Sequence, residues 1–190
     1  MPLAQIRLLV ERDLRELERD AHEVFEALVV PALGRDELVQ RRALLGFTMS
    51  CFAFVDVLSK LDDSGRQTPR MRKFITDRMR LDRTAAAVSV EAWRHHLMHT
   101  GNPPEVIEDT TTRQRYDWVA WWGGSESSTG LQVEAGNPDD GHSYVFLLMP
   151  FLKSLRKTAA EFFDQVERDA ELTTKVQARW HNLRSTEIDI

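Results

Sequence analysis

The sequence predicts a mainly helical bundle of about five helices that carries a small antiparallel β hairpin or sheet. Three observations predict it. Apolar residues step by three and four over the first thirty positions and again beyond Pro150. A segment around residues 44–58 is apolar on nearly every helical face, as a central core helix is. Residues 113–149 abandon this period for short aromatic and β-branched runs divided by Gly, Ser, Asn and Asp. The 190 residues, 42% hydrophobic and 29% charged, suit one domain spanning 1–190, with 113–149 as a β insertion within it.

The first helix rests on Val10, Leu14, Leu17, Ala21, Val24 and Leu28, a heptad stripe that Pro31 and Gly34 bring to an end. Such a stripe suits a bundle helix packed on its neighbours or the seam of a homodimer. The second helix, about Arg35 to Lys60, contains Cys51 inside its apolar stretch, which reads as a small buried hydrophobe. After the turn at Leu61–Gly65 comes a basic stretch. Arg66, Arg70, Arg72, Lys73, Arg78, Arg80 and Arg83 stand against Asp77 and Asp82, seven cations to two acids. Pro69 suits a helix start there, with Met71, Phe74, Ile75 and Met79 as the buried side. A helix from about Asp82 to His99 follows and stops at Thr100-Gly101-Asn102-Pro103-Pro104, where glycine suits the C′ position and proline cannot continue.

In the insertion, Arg115–Trp122, Leu131–Ala135 and Ser143–Leu148 read as strands, with 123–130 as a flexible connection. Trp118 and Trp122 share one face with Tyr116, and Trp121 takes the other. The tryptophans read as a cover for the bundle or a dimer contact, or as a platform on which unpaired bases stack. The last helix starts near Pro150, with Leu152, Leu155, Ala159, Phe162, Val166 and Ala170 as its stripe. Thr173–Arg184 either prolongs it or forms a separate helix, and the tail 185–190 is expected to fray.

Composition narrows the function classes. A formal net charge of −5 argues against a general nucleic-acid coat but leaves room for a local phosphate-binding patch. One cysteine allows no internal disulfide. No apolar run approaches the roughly 20 residues of a membrane span, and the N-terminus lacks the apolar stretch of a signal peptide. The expectation is a cytoplasmic protein with no membrane partner.

The densest polar chemistry is Trp93-Arg94-His95-His96-Leu97-Met98-His99-Thr100-Gly101, which holds three of the six histidines. Three readings compete. His95 and His99 are i and i+4 on one helix face, as in zinc-binding helices; but the zinc-protease pattern needs Glu where His96 stands, and no Cys pair or third ligand is near. No metal and no cofactor are therefore expected. Basic residues in a last helical turn also favour the dipole and cap free carbonyls, which is a purely structural role. The favoured reading is metal-free acid–base chemistry. Histidine exchanges protons near neutral pH, and arginine grips phosphate through two donors. Together they suit RNA cleavage, in which a base takes the ribose 2′-OH proton, the oxygen attacks the adjacent phosphate, and arginine stabilises the added charge.

The run Arg94-His95-His96-Leu97-Met98-His99 resembles the motif of the HEPN superfamily: Arg, then Asn, Asp or His, then three residues, then His. The resemblance covers residues 1–110 and 150–180, with 113–149 inserted between motif helix and final helix. It implies a HEPN-like helical bundle and a metal-independent endoribonuclease that works as a homodimer, with the two motifs meeting at the interface, in antiphage defence or as a toxin. Carried over by position, Arg94 contacts the scissile phosphate, His99 is the acid or base, and His95 is the polar helper. Residues five apart on a straight helix differ by about 140° in direction, so Arg94 and His99 converge only if the last turn unwinds near Gly101 or a dimer partner completes the site. One large branch, paired with a nucleotidyltransferase antitoxin, carries Tyr two residues after the His; Gly101 stands there in this chain, which sets it outside that branch. Other HEPN-like domains are inactive dimerisation or nucleotide-binding modules, and this is the alternative reading. The expected RNA-backbone contacts are Arg70, Arg72, Lys73, Arg78 and Arg80. The expected partners are RNA, a second copy of the chain, and a neutralising protein, since an uncontrolled ribonuclease is toxic.

Overall fold

The computed structural model describes residues 1–29, 37–92, 107–108, 113, 115–123, 131–135 and 142–184. Six helices and four short strands lie among them. Helix α1 is Leu3–Val24 and runs on in wider π-type turns over Phe25–Val29. Helix α2 is Glu37–Asp62, α3 is Gln67–Lys73 with a π-type continuation Phe74–Arg78, and α4 is Arg83–Ser89. Strands β1 (Ile107–Glu108), β2 (Arg115–Trp121), β3 (Leu131–Ala135) and β4 (His142–Leu147) follow. Helices α5 (Leu148–Glu167) and α6 (Ala170–Arg184) close the bundle.

The heptad stripe of α1 is spent inside the chain. Ile6, Val10, Leu14 and Ala21 are buried, with Leu17 and Val24 packed against the core, and α5 is the main neighbour. α5 answers with Leu152, Leu155, Ala159, Phe162 and Val166, all buried. Charges staple the rim of this pair. Arg7 bridges to Asp164 at 2.8 Å and Glu167 at 3.0 Å, and Arg156 reaches Glu18 at 2.6 Å. Ala170 does not extend the stripe. The chain breaks at Arg168–Asp169, and the Asp169 carboxylate accepts the backbone N–H groups of Glu171 and Leu172, an N-cap that starts α6 as a separate helix.

α2 touches α1, α3, α5 and α6 and is the centre of the bundle. Phe52, Val55, Leu58 and Leu61 are buried, and the Thr48 hydroxyl donates to the Leu44 carbonyl four residues back, satisfying itself within the helix. Its stretch Arg42–Asp62, 21 residues, is long and apolar enough to cross a membrane by length and composition. This corrects the expectation that no apolar run reaches that length: Thr48, Ser50, Asp56 and Ser59 interrupt the run of apolar residues, yet its mean hydropathy stays high. In this fold the same apolarity serves a helix with neighbours on several sides. Arg179 of α6 donates to the Leu61 and Asp62 carbonyls, each at 2.7 Å, and so occupies the open end of α2.

The sheet is mixed, in the order β1-β2-β4-β3. β3 and β4 are antiparallel, as are β1 and β2, but the central pair β2–β4 is parallel, with Trp118 opposite Tyr144 and Trp121 opposite Leu147. The antiparallel hairpin or sheet expected from the sequence is corrected on this point, and the sheet also reaches back to Ile107–Glu108, before residue 113. Alternation along a strand sets its faces but not its neighbours. At the end of β4, Phe146 and Leu147 are consecutive and both buried, which suits a strand covered on both sides.

Three aromatic rings join sheet to bundle. Phe146 lies 6.0 Å from Phe52 and 5.1 Å from Phe151, centroid to centroid, and Phe52 stacks on Phe151 at 5.5 Å. Trp122 is buried against Phe25 and Phe47, and its carbonyl accepts the Met149 N–H at 3.0 Å, tying the end of β2 to the first turn of α5. Trp121 points the opposite way and is 54% exposed. The side chain of Trp118 lies outside the described residues, as do Pro31, Gly34, the 100–104 break, 124–130 and 185–190.

Cys51 is fully buried, and loss of hydration pushes its thiol well above the usual range. The native protein is expected to leave a thiol reagent such as DTNB unconsumed and to react with one equivalent in guanidinium. Rapid labelling of the native chain would contradict the packing of α2.

Candidate nucleic-acid interface

Arg94, His95 and His99, with His96 between them, lie outside the described residues, and Ala92 is the last described residue before them. The basic stretch is described throughout, and the structure divides its cations into two sets.

One set turns inward. Arg70 is only 9% exposed and donates in three directions: to Asp56 Oδ1 at 2.6 Å, to Ser59 Oγ at 3.2 Å and to the Gly65 carbonyl at 3.0 Å. Gln67 adds a second donor to Asp56. Arg78 grips Asp62 through Nε and Nη2, reaches Gln165 through Nη1, and lies 5.8 Å from the Phe162 ring centre. These two arginines join α3 and its continuation to α2 and α5.

The other set faces outward. Met71, Phe74 and Ile75 are buried, so helical spacing sends positions 69, 72, 73 and 76 to the opposite side. There Pro69, Arg72, Lys73, Thr76 and Asp77 form one wall of a groove of about 380 Å³, and Arg83 and Ala87 of α4 form the other. Arg83 and Ala87 are i and i+4, and the small side chain of Ala87 leaves the space open. Arg72 pairs with Glu91 just beyond α4, both 41% exposed, and Lys73 pairs with Asp77 at 3.2 Å on its own helix. Arg83 is exposed and has no ion pair among the described contacts. Exposed pairs such as these are worth about 0–1 kcal/mol, so little free energy holds them together. The Arg72 Nε atom is buried and without an acceptor among the described residues, so the Glu91 pairing leaves one donor of that guanidinium unmet.

The corner between α3 and α4 is built by Arg80 and Asp82. Arg80 is exposed with φ 57°, in the left-handed region; beside it Met79 N–H donates to the Phe74 carbonyl and Leu81 N–H to that of Ile75. This is a widened form of the left-handed helix cap, a position that normally belongs to glycine. Asp82 accepts the Ala85 N–H at 2.9 Å and caps α4.

Of the five expected backbone contacts, the structure therefore brings Arg72 and Lys73 together in the groove, puts Arg80 at its own corner, and gives Arg70 and Arg78 internal partners. Sequence reasoning did not single out Arg83 from the basic stretch; its signal is the Arg-x3-Ala spacing against an amphipathic α3. Among the described residues no cluster of three or more His, Cys, Asp or Glu is arranged to hold a metal ion. The groove is lined by three cations, one carboxylate and no histidine, so its side chains offer positive charge and no group that exchanges protons near neutral pH.

Two outcomes test this division. Arg70→Ala is expected to lower stability by about 2–3 kcal/mol in urea unfolding, because Asp56 and the Gly65 carbonyl lose a charged donor, and Arg70→Lys should recover less than half, lacking the three-way fork. Arg80→Gly is expected to raise stability by about 1 kcal/mol by relieving the left-handed conformation; a loss of that size would contradict the corner. No protein-family model, no curated protein and no solved structure gives a significant match to this chain.

Proposed function

We propose that the chain is a metal-independent endoribonuclease of the HEPN type that acts as a homodimer. In this reading Arg94 holds the scissile phosphate, His99 exchanges the proton and His95 assists. The base removes the 2′-OH proton, the 2′ oxygen bonds to phosphorus, and the bond from phosphorus to the 5′ oxygen breaks. That oxygen takes a proton and leaves a 2′,3′-cyclic phosphate on the other fragment. The observation that carries the reading is the cationic groove. One of its walls is α4, and the chain continues from there to Arg94. Glu91, which pairs with Arg72 of the groove, precedes Arg94 by only three residues. Phosphate-binding charge and proton-transfer residues thus occupy one continuous stretch of chain. Cytoplasmic RNA as substrate, a role in defence or stress control, and restraint by a neutralising partner belong to the same proposal.

The size of the groove favours a second reading, an inactive module that binds a nucleotide, since about 380 Å³ falls within the range of small-ligand sites. Incubation of RNA with purified protein in EDTA separates the two. Cleavage leaving 2′,3′-cyclic phosphate ends, reduced at least about 100-fold in both Arg94→Ala and His99→Ala, is the expected result. Intact transfer, ribosomal and messenger RNA, together with saturable mononucleotide binding, would select the module instead.

A further inference from the structure

We infer that the groove between α3 and α4 is a backbone-binding subsite for single-stranded RNA, with Arg83 and Lys73 as its phosphate contacts and Arg72 as a third cation released from Glu91 when the strand binds. This deepens the proposed function and rests on its choice of RNA as ligand.

Three observations carry it. Three cations from two helices line one concavity, whereas the one acid that lines it, Asp77, and Glu91 beside it are each engaged by only one of them, in exposed pairs. A phosphodiester accepts the same charge-assisted, bidentate bonds from arginine as a carboxylate does, and an exposed pair worth about 0–1 kcal/mol opposes the exchange only weakly. Arg72 has a buried, unmet Nε donor in its present pairing, so rotation of its guanidinium toward a ligand has an incentive. Arg83 is already uncommitted among the described contacts and needs no such exchange.

Shape selects the form of RNA. A concavity of about 380 Å³ accepts a tract about the size of a nucleotide, not the broad convex surface of a duplex, which proteins read by shape across its minor groove. Pro69 and Ala87 supply apolar wall for a sugar or base edge, and Thr76 can place a hydroxyl beside the cations. A free inorganic ion fills little of this space.

The direct test is fluorescence anisotropy of the full chain with a short labelled RNA strand whose riboses are 2′-O-methylated. Such a strand keeps its phosphodiesters but has no 2′-OH to attack. The Lys73→Ala/Arg83→Ala double variant is expected to bind about 10-fold more weakly at low salt. The slope of log affinity against log salt should shrink by about 1.4, as removal of two phosphate contacts to a single strand predicts. Arg83→Lys should restore most of the slope. Both sites are exposed, so unchanged thermal melting will show that the fold is intact. Affinity and slope equal to the parent in the double variant would overturn the inference, as would a parent that does not bind the strand. Displacement by polyglutamate as effective as by unlabelled strand, at matched charge and ionic strength, would overturn it in favour of an acidic polypeptide. If the double variant loses binding while the parent leaves ordinary RNA uncut, the subsite stands and the proposed cleavage fails. If the parent cleaves and the double variant binds and cleaves as well, the subsite alone fails.

Discussion

The guanidinium of Arg70 settles how the α2–α3 corner is built. It lies nearly out of water and donates to a carboxylate on α2, a hydroxyl on α2 and a carbonyl in the turn between the helices. Burying an arginine is costly unless every direction of its fork finds an acceptor. Three acceptors in three directions permit one orientation of α3 about its own axis. With Arg70 turned in, Met71, Phe74, Ile75 and Arg78 share its side, and Pro69, Arg72, Lys73 and Thr76 are driven to the other. The cationic groove is therefore a by-product of an internal ion pair. Its charge is displayed because a neighbouring residue of the same sign is hidden.

A second constraint joins the two architectures of the molecule. A four-stranded sheet with two-residue and five-residue members does not stand alone. This one is anchored where β4 passes directly into α5, and Phe146, Phe52 and Phe151 meet there. Trp122 provides a second anchor, one strand away, against Phe25 and Phe47. The sheet is thus held at the end where β2 and β4 finish side by side. Parallel pairing follows from that: β2 and β4 must both run toward the bundle to deliver Trp122 and Phe146 into it.

How much of this was legible follows from what each kind of pattern measures. The 3.6 period reports which residues of a helix are buried, and it located α1 and α5 with their stripes from Val10 to Ala21 and from Leu152 to Val166, while apolarity on nearly every face located α2. It also carried on to Ala170, because a period does not detect the Asp169 carboxylate that starts a new helix. The alternation of the tryptophans gave their opposite faces, and Trp121 and Trp122 do diverge. Strand order was not legible, because pairing depends on what lies across the sheet and not along it. Charge counting found the basic stretch but not its sorting: Arg70 and Arg72 look alike in sequence, and only the acceptors on α2 distinguish them. The Arg-x4-His motif is a matter of residue spacing alone, and its members lie beyond Ala92, the last described residue of that helix.

The apolarity of α2 has a consequence for the chain before it is folded. Arg42–Asp62 is long and apolar enough to cross a membrane by length and composition, and in the finished protein it packs against α1, α3, α5 and α6. Two of those neighbours are made much later: at about 5–20 residues per second, α5 begins to emerge about 4–17 s after α2 is complete. For that interval the nascent chain offers α2 only α1 and α3 of those four neighbours. The burial of α2 is thus completed only as the last two helices are made, and any delay between the two halves of the message prolongs its exposure.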